Sequence, residues 1–503
     1  MRRGVWLLVV AALAGAGAGC AGALAGYDVA PSGLTRPDDA VRSLLAAERY
    51  ESALERLTPE RAPTLEDELL RSLYRGIVAH YAGQYQESGG ALERAATLAE
   101  DRYTRSLSRE AASFLTSERV LPYQPAATER LFIHYYAALN YLKQENPVEA
   151  AVEARRLSQL LARLEEGGHA QEQRPLHLFL RTFAGAVFEA AGERTDAEVA
   201  YRHARALAES AGVPDSTLPL AADTAPLSDG TGEVIVLLEQ GFVAHRVEQS
   251  LIIVLGSGEL GVFESDDDER RTHAARGLAT HALGEILRAS VAADAGGRPR
   301  TIFIASAVQS KASADTGTSK AACAGCGGGK KATDDDDEDD DSYLLRVAWP
   351  VYVRDWLPSP GAATVAAGET SVRARVLADL SRAVVRDFEA ERTELLARTI
   401  ARAAAKFALT RGVEEQAGKK NEALGKILGL LTNAGTAILE QADTRSWHLL
   451  PSQVAVARLR LPAGSHALVL QVSNRAGEVR KLDLGTVEVR PGTVAFVSTR
   501  SWR

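Results

Sequence analysis

Gly232-Glu-Val-Ile-Val-Leu-Leu-Glu-Gln-Gly241 is where the texture of this chain changes. Its apolar run, Val234 to Leu238, is short, rich in β-branched residues and bounded by glycines, so it reads as a strand buried on both faces. Upstream, from 37 to 211, apolar residues recur at helical spacing. Between the two, 212–232 carries Pro214, Pro219 and Pro226 without periodicity and reads as a linker. Downstream, Leu251–Leu255, Thr301–Ile304 and Leu344–Val353 read as further strands, and Thr272–Ala292 as an amphipathic helix. Val372–Gly412 reads as a long charged helix with Leu377, Leu380, Val384 and Phe388 on one face, and Asn421–Gln441 as a second helix. The end, 453–500, alternates apolar and polar residues around Pro462-Ala-Gly464, Asn474-Arg-Ala-Gly477 and Pro491-Gly492, the pattern of an antiparallel sheet of about four strands.

The helical stretch repeats. Gly76, Ser88, Leu92 and Ala95 correspond to Ala138, Ala150, Ala154 and Leu157, and to Gly185, Ala197, Tyr201 and Ala204; an aromatic follows the first small residue in each, Tyr141 and Phe188 three positions on and Tyr85 nine. Tyr50-Glu-Ser-Ala53-Leu54 is the second half of an earlier unit. Small residues at such points let paired helices approach closely. The pattern resembles the tetratricopeptide repeat, whose period is ~34 residues. Ala53 to Ser88 is 35 residues, whereas Ser88 to Ala150 is 62 and Ala150 to Ala197 is 47, leaving room for a degenerate helix pair around Leu107–Val120. The fold expected is therefore multidomain: a TPR-like α-solenoid over 37–211, then an α+β module over 233–503 that ends in an antiparallel sheet.

The first residues form a leader. Arg2 and Arg3 precede the uncharged run Val5–Ala14, and Gly15–Gly19 narrow to small residues before Cys20. That order is a signal peptide's, and the apolar run is shorter than the about 20 residues that span a bilayer. Gly17-Ala18-Gly19-Cys20 resembles the lipobox of bacterial lipoproteins, with Gly17 where the family prefers Leu. The resemblance implies a signal peptide over 1–19, lipid (palmitate among its acyl chains) on Cys20 and a tether over 20–36. Ala21, not Asp, follows the cysteine, which by the same resemblance implies the outer membrane.

Composition narrows the partners. Asp334–Asp341 is an unbroken acidic run of eight residues, and the net charge of the whole chain is −8. The remaining charges cancel, so neither a nucleic-acid-binding face nor an overall acidic field is expected. The run closes an insert at 311–341, rich in Gly, Ala, Ser and Lys, that reads as disordered. Within it, Cys323 and Cys326 form a candidate disulfide.

Catalytic motifs are sparse. Gly256-Ser-Gly258-Glu-Leu-Gly261 matches a dinucleotide fingerprint by letter, but Val262-Phe263 follows instead of a helix, so a hairpin turn is the better reading. His80 and His134 fall in repeat helices and His448 and His466 near the terminal sheet, without a partner set for catalysis or a metal. No cofactor and no metal site are expected.

Leu121-Pro-Tyr123, Glu129-Arg-Leu-Phe-Ile-His-Tyr-Tyr-Ala-Ala-Leu-Asn-Tyr141, Glu149–Arg155, Gly232–Gly241, Ala348-Trp-Pro-Val-Tyr352 and Asp443–Pro451 together resemble a group of bacterial lipoproteins with N-terminal TPR-like repeats and a C-terminal α+β module. The resemblance implies a fold and an envelope address, and no activity. The function expected is a non-enzymatic, membrane-anchored scaffold that binds a protein or peptide in a repeat groove lined by Tyr135, Tyr136, Asn140, Arg155 and Arg156. The alternatives are an envelope enzyme with polar groups converging near Trp349, Tyr352 and Arg445, or a structural part of a secretion or surface-fibre assembly.

Overall fold

The computed structural model describes residues 39–58, 67–109, 121–166, 173–213, 230–255, 260–264, 343–354, 363–389, 392, 395, 399, 442–473 and 479–502. Cys20, Cys323, Cys326, the insert at 311–341, the elements expected at 272–292, 301–304 and 421–441 and the turn at 474–477 lie outside the described residues.

Helices α1 (Asp39–Ala46), α2 (Tyr50–Arg56), α3 (Glu68–Tyr81), α4 (Tyr85–Arg109), α5 (Ala127–Lys143), α6 (Pro147–Glu166), α7 (Arg174–Ala190) and α8 (Arg194–Ser210) come first and pack as successive pairs. The four within-pair turns are alike. Each places one residue in the left-handed region two positions after the first helix and two before the second: Glu48, Gly83, Glu145 and Gly192, with φ of 58°, 75°, 55° and 79°. A left-handed residue there ends a helix by freeing the chain to turn while its N–H closes the last carbonyls. Gly76 and Gly185 mark the close approaches. A Cβ would stand 2.7 Å from Leu92 at the first and 2.5 Å from the Tyr201 ring at the second. The long spacing after Ser88 is taken up partly by α4, which runs 25 residues.

The strands are β1 (Thr231–Gln240), β2 (His245–Leu255), β3 (Leu260–Glu264), β4 (Tyr343–Val353), β5 (Ala363–Ala367), β6 (Thr370–Asp379), β7 (Gln453–Pro462), β8 (Gly464–Ser473), β9 (Val479–Val489) and β10 (Val494–Ser501). Seven form one sheet in the order β10-β1-β7-β6-β5-β8-β9, and β3-β2-β4 form another. In the larger sheet β1 and β10 run parallel and the other neighbours are antiparallel. β1 supplies both cores by strict alternation: Ile235 and Leu237 join the helices' core, while Val234, Val236 and Leu238 join a second core with β5, β7 and β8. That is the two-faced burial its unbroken apolar run requires.

The helical first half and mixed sheet agree with the fold class expected, with three differences in detail. The last four strands do not make a sheet of their own, because β7 and β10 flank β1 from the middle of the chain. Residues 372–379 are strand β6, and the helix begins at Leu380 (α9, 380–389). Arg373 and Arg375 alternate with the inward Val372 and Ala374, a two-residue period hidden because the helical run follows without a break. β5, its hairpin partner, was not anticipated. At the dinucleotide-like letters, β2 and β3 pair antiparallel, Leu255 opposite Leu260.

The described residues fall into two compact units. The larger contains α1–α9 and the seven-stranded sheet, so 212–232 does not divide a repeat domain from an α+β module. The smaller contains β3 and most of β2 and β4.

Candidate functional site

Charged side chains collect where the helices of the larger unit meet its sheet. Glu129, at the third position of α5, is 4% exposed. Its Oε1 accepts from the Trp447 backbone N–H (2.6 Å), and its Oε2 from the Ala126 N–H (2.8 Å) and the Tyr123 hydroxyl. The Ala126 bond closes the first turn of α5 as a capping glutamate does. The other two bring in 121–123 and 443–447. Burial raises the carboxyl's pKa, opposed by the Tyr123 and Trp447 bonds. Near this anchor Arg246 donates to the Tyr352 hydroxyl at 3.1 Å, and burial pushes that phenol up to about 12.

Asp67 and Arg445 clamp the same segments from outside. Asp67 caps α3 through the Leu69 and Leu70 N–H groups and accepts from Arg102 and the Tyr123 N–H. Arg445 donates twice to Asp443 (2.7 and 2.8 Å) and to the Leu121 carbonyl (2.8 Å). Tyr74 on α3 pairs with His448 at 2.5 Å.

A second carboxylate, Glu239 at the end of β1, is 1% exposed. The Tyr81 hydroxyl donates to it at 2.5 Å from α3 and the Tyr136 hydroxyl at 3.0 Å from α5. Arg500 on β10 donates to the Tyr81 hydroxyl (3.0 Å) and the Gly241 carbonyl (2.6 Å), with its guanidinium 4.1 Å from the Trp502 ring centre. Burial raises the pKa of Glu239, with Arg500 the largest opposing influence. Beside it, His80 donates to Asn140 (2.7 Å), Asn140 to Ser88 (2.8 Å), and Ser88 to the Gly76 carbonyl (2.6 Å). Burial holds His80 down at about 4, so it is neutral near pH 7.

A third centre is Arg458 on β7. It donates to Glu233 on β1 (2.7 Å), Glu189 on α7 (2.9 Å) and the Tyr201 hydroxyl on α8 (3.2 Å). Burial opposes its charge, but Tyr201, Glu189 and Glu233 outweigh that and raise its pKa.

These contacts correct the expected groove. Tyr135 and Tyr136 are each 0% exposed and Asn140 1%, so they line no open surface; the chain's own sheet covers the face they belong to. Arg155 and Arg156 lie outside, where Arg155 pairs with Glu193 and Arg156 with Glu93 at 2.8 Å and Glu153 at 2.9 Å, tying α6 to α8 and α4. Such exposed pairs contribute about 0–1 kcal/mol each. The five residues thus divide between core and surface.

Trp349 and Tyr352 are each 5% exposed, the Tyr352 hydroxyl accepts from Arg246, and Arg445 is engaged by Asp443 and Leu121. His134 meets Glu153 at 2.8 Å, and His466 meets the Pro462 carbonyl at 2.8 Å. Among the described residues no three His, Cys, Asp or Glu side chains are placed to hold a metal, and no helix is long and apolar enough to cross a membrane.

Sequence reasoning did not single out Glu129, Glu233, Glu239, Arg458 or Arg500. The available signal was position: Glu233 and Glu239 flank the apolar run of β1, and Glu129 opens an aromatic helix. Compared with known proteins, the chain matches no protein-family model, no curated protein and no solved structure.

Proposed function

We propose that this chain is a lipid-anchored protein of the bacterial cell envelope, held through Cys20 at the outer membrane and facing the periplasm, that serves as a non-enzymatic scaffold for another envelope protein. The anchor rests on the leader that ends at Cys20. One observation carries the scaffold reading: Glu129, Glu239 and Arg458 direct their hydrogen bonds inward, Glu129 to the 443–447 segment and the other two between helices and sheet. Their chemistry is that of joining elements rather than of meeting a substrate. In this reading the partner docks on the outward helices α4, α6 and α8, where Arg155 and Arg156 lie, because the opposite face of the repeats is covered by the sheet.

The test is labelling of growing cells with a palmitate analogue, followed by crosslinking of the intact envelope. Wild type is expected to take up label and give a reproducible crosslinked protein, whereas Cys20→Ala loses label and is released with the soluble fraction. Unlabelled wild-type protein would refute the anchor. A labelled monomer with no reproducible crosslink would refute the scaffold.

A further inference from the structure

Glu129 and Glu239 are both buried carboxylates, yet their surroundings differ in kind. Two of the three donors to Glu129 are backbone N–H groups, of Ala126 and Trp447, one on each oxygen. An N–H fixed in the main chain cannot turn round to accept, so at Glu129 only the bond from the Tyr123 hydroxyl can reverse. The donors to Glu239 are the Tyr81 and Tyr136 hydroxyls, which also bond each other at 2.9 Å. A hydroxyl rotates and serves as donor or acceptor. A third, that of Tyr135, is buried and faces the same carboxylate outside hydrogen-bonding geometry.

We propose that Glu239 is a proton-uptake site of the folded protein, a clasp between α3, α5 and β1 that gains a proton on mild acidification and reverses its tyrosine hydrogen bonds without coming apart. Protonated, Glu239 donates to one hydroxyl while the others reorient around it. The titratable groups around it fit this assignment. Tyr81, Tyr135 and Tyr136 are held neutral by burial. His80, on α3, is kept down at about 4. Lys143 on α5 and Arg500 on β10 are the cations around it. Uptake therefore removes the anion that Arg500 faces through Tyr81 and leaves the guanidinium to the Gly241 carbonyl and the rings of Tyr81, Phe242 and Trp502. The grip of β10 on α3 then depends on pH.

The sign follows from linkage. A carboxyl whose folded pKa exceeds its unfolded one contributes stability that is full below the unfolded value and is lost as pH rises through the folded one. Glu239→Gln imitates the protonated form at every pH. The full-length protein is therefore melted in detergent from pH 5 to 8, with infrared difference spectra recorded over the same range. The melting temperature of Glu239→Gln relative to wild type is expected to rise with pH. The wild-type spectrum is expected to gain a carboxylic-acid carbonyl band on acidification that Glu239→Gln lacks. His80 acts alike in both proteins and cancels. Tyr136→Phe removes a bond to the anion, so the band's midpoint moves to higher pH. A band that persists in Glu239→Gln, or none in wild type down to pH 5, would overturn the proposal. So would a pH-independent difference in melting.

Discussion

Arg458→Met is expected to lower unfolding free energy by about 3–5 kcal/mol, the cost of removing one partner from a buried ion pair. Methionine fills similar volume, so lost charge rather than a cavity dominates. The side chain of Arg458 is 8% exposed and lies against Glu233, itself 8%, and Glu189 at 21%. Without the guanidinium, two carboxylates from different layers are left with Arg460, half exposed and touching only Glu233 at 3.2 Å. Tyr201 still donates to Glu189 at 2.5 Å but cannot replace a cation. Denaturant unfolding of the variant against wild type measures the difference. A loss below about 1 kcal/mol, the range of exposed pairs, would show that this network is not a support between β1, β7 and α7.

Glu129→Gln is expected to cost about 2–4 kcal/mol, because a charge-assisted acceptor is replaced and a buried N–H loses its partner. The amide keeps one oxygen. If it faces Ala126 and Tyr123, the amide nitrogen is turned toward the Trp447 N–H; if it faces Trp447, the first turn of α5 is opened. Either way a donor confronts a donor. Hydrogen exchange should identify which: faster exchange at Trp447 in the first case, at Ala126 in the second. The same substitution at Glu239 has no such fixed donors, so the two glutamates are expected to respond in opposite ways. Equal losses at both would contradict the distinction between backbone and hydroxyl donors.

The repeat geometry was readable because it depends on residue size. Paired helices were expected to approach closely at small residues, and they do so at Gly76 against Leu92 and Gly185 against Tyr201, while Ala150, Ala154 and Leu157 are each fully buried. β1 was readable because a strand covered on both faces admits no polar alternation. What the repeats pack against was not readable. Tyr135, Tyr136 and Asn140 look the same in a sequence whether they line a groove or a core, and the covering strands β7 and β10 lie more than 300 residues after them. The charged joints were obscured for a related reason. Glu239 meets Tyr81, 158 positions away, and Arg458 meets Glu189 at a separation of 269. Those pairings exist only once the layers have met. Segments noted for their family resemblance do converge on these joints: Tyr123, Glu129 and Trp447 share one carboxylate, and Tyr136 and Glu239 share another.

The central claim is that the helical repeats and the seven-stranded sheet are one cooperative structure, with the inner face of the repeats closed by the chain itself. Native-state hydrogen exchange of the full-length protein, followed peptide by peptide at increasing sub-denaturing guanidinium, tests it most directly. Peptides from α3, α5 and α7 are predicted to converge on the same opening free energy and denaturant dependence as those from β1 and β7. Helices that stay protected after β1 and β7 have exchanged would contradict it, and would return Tyr135, Tyr136 and Asn140 to the role of an accessible groove.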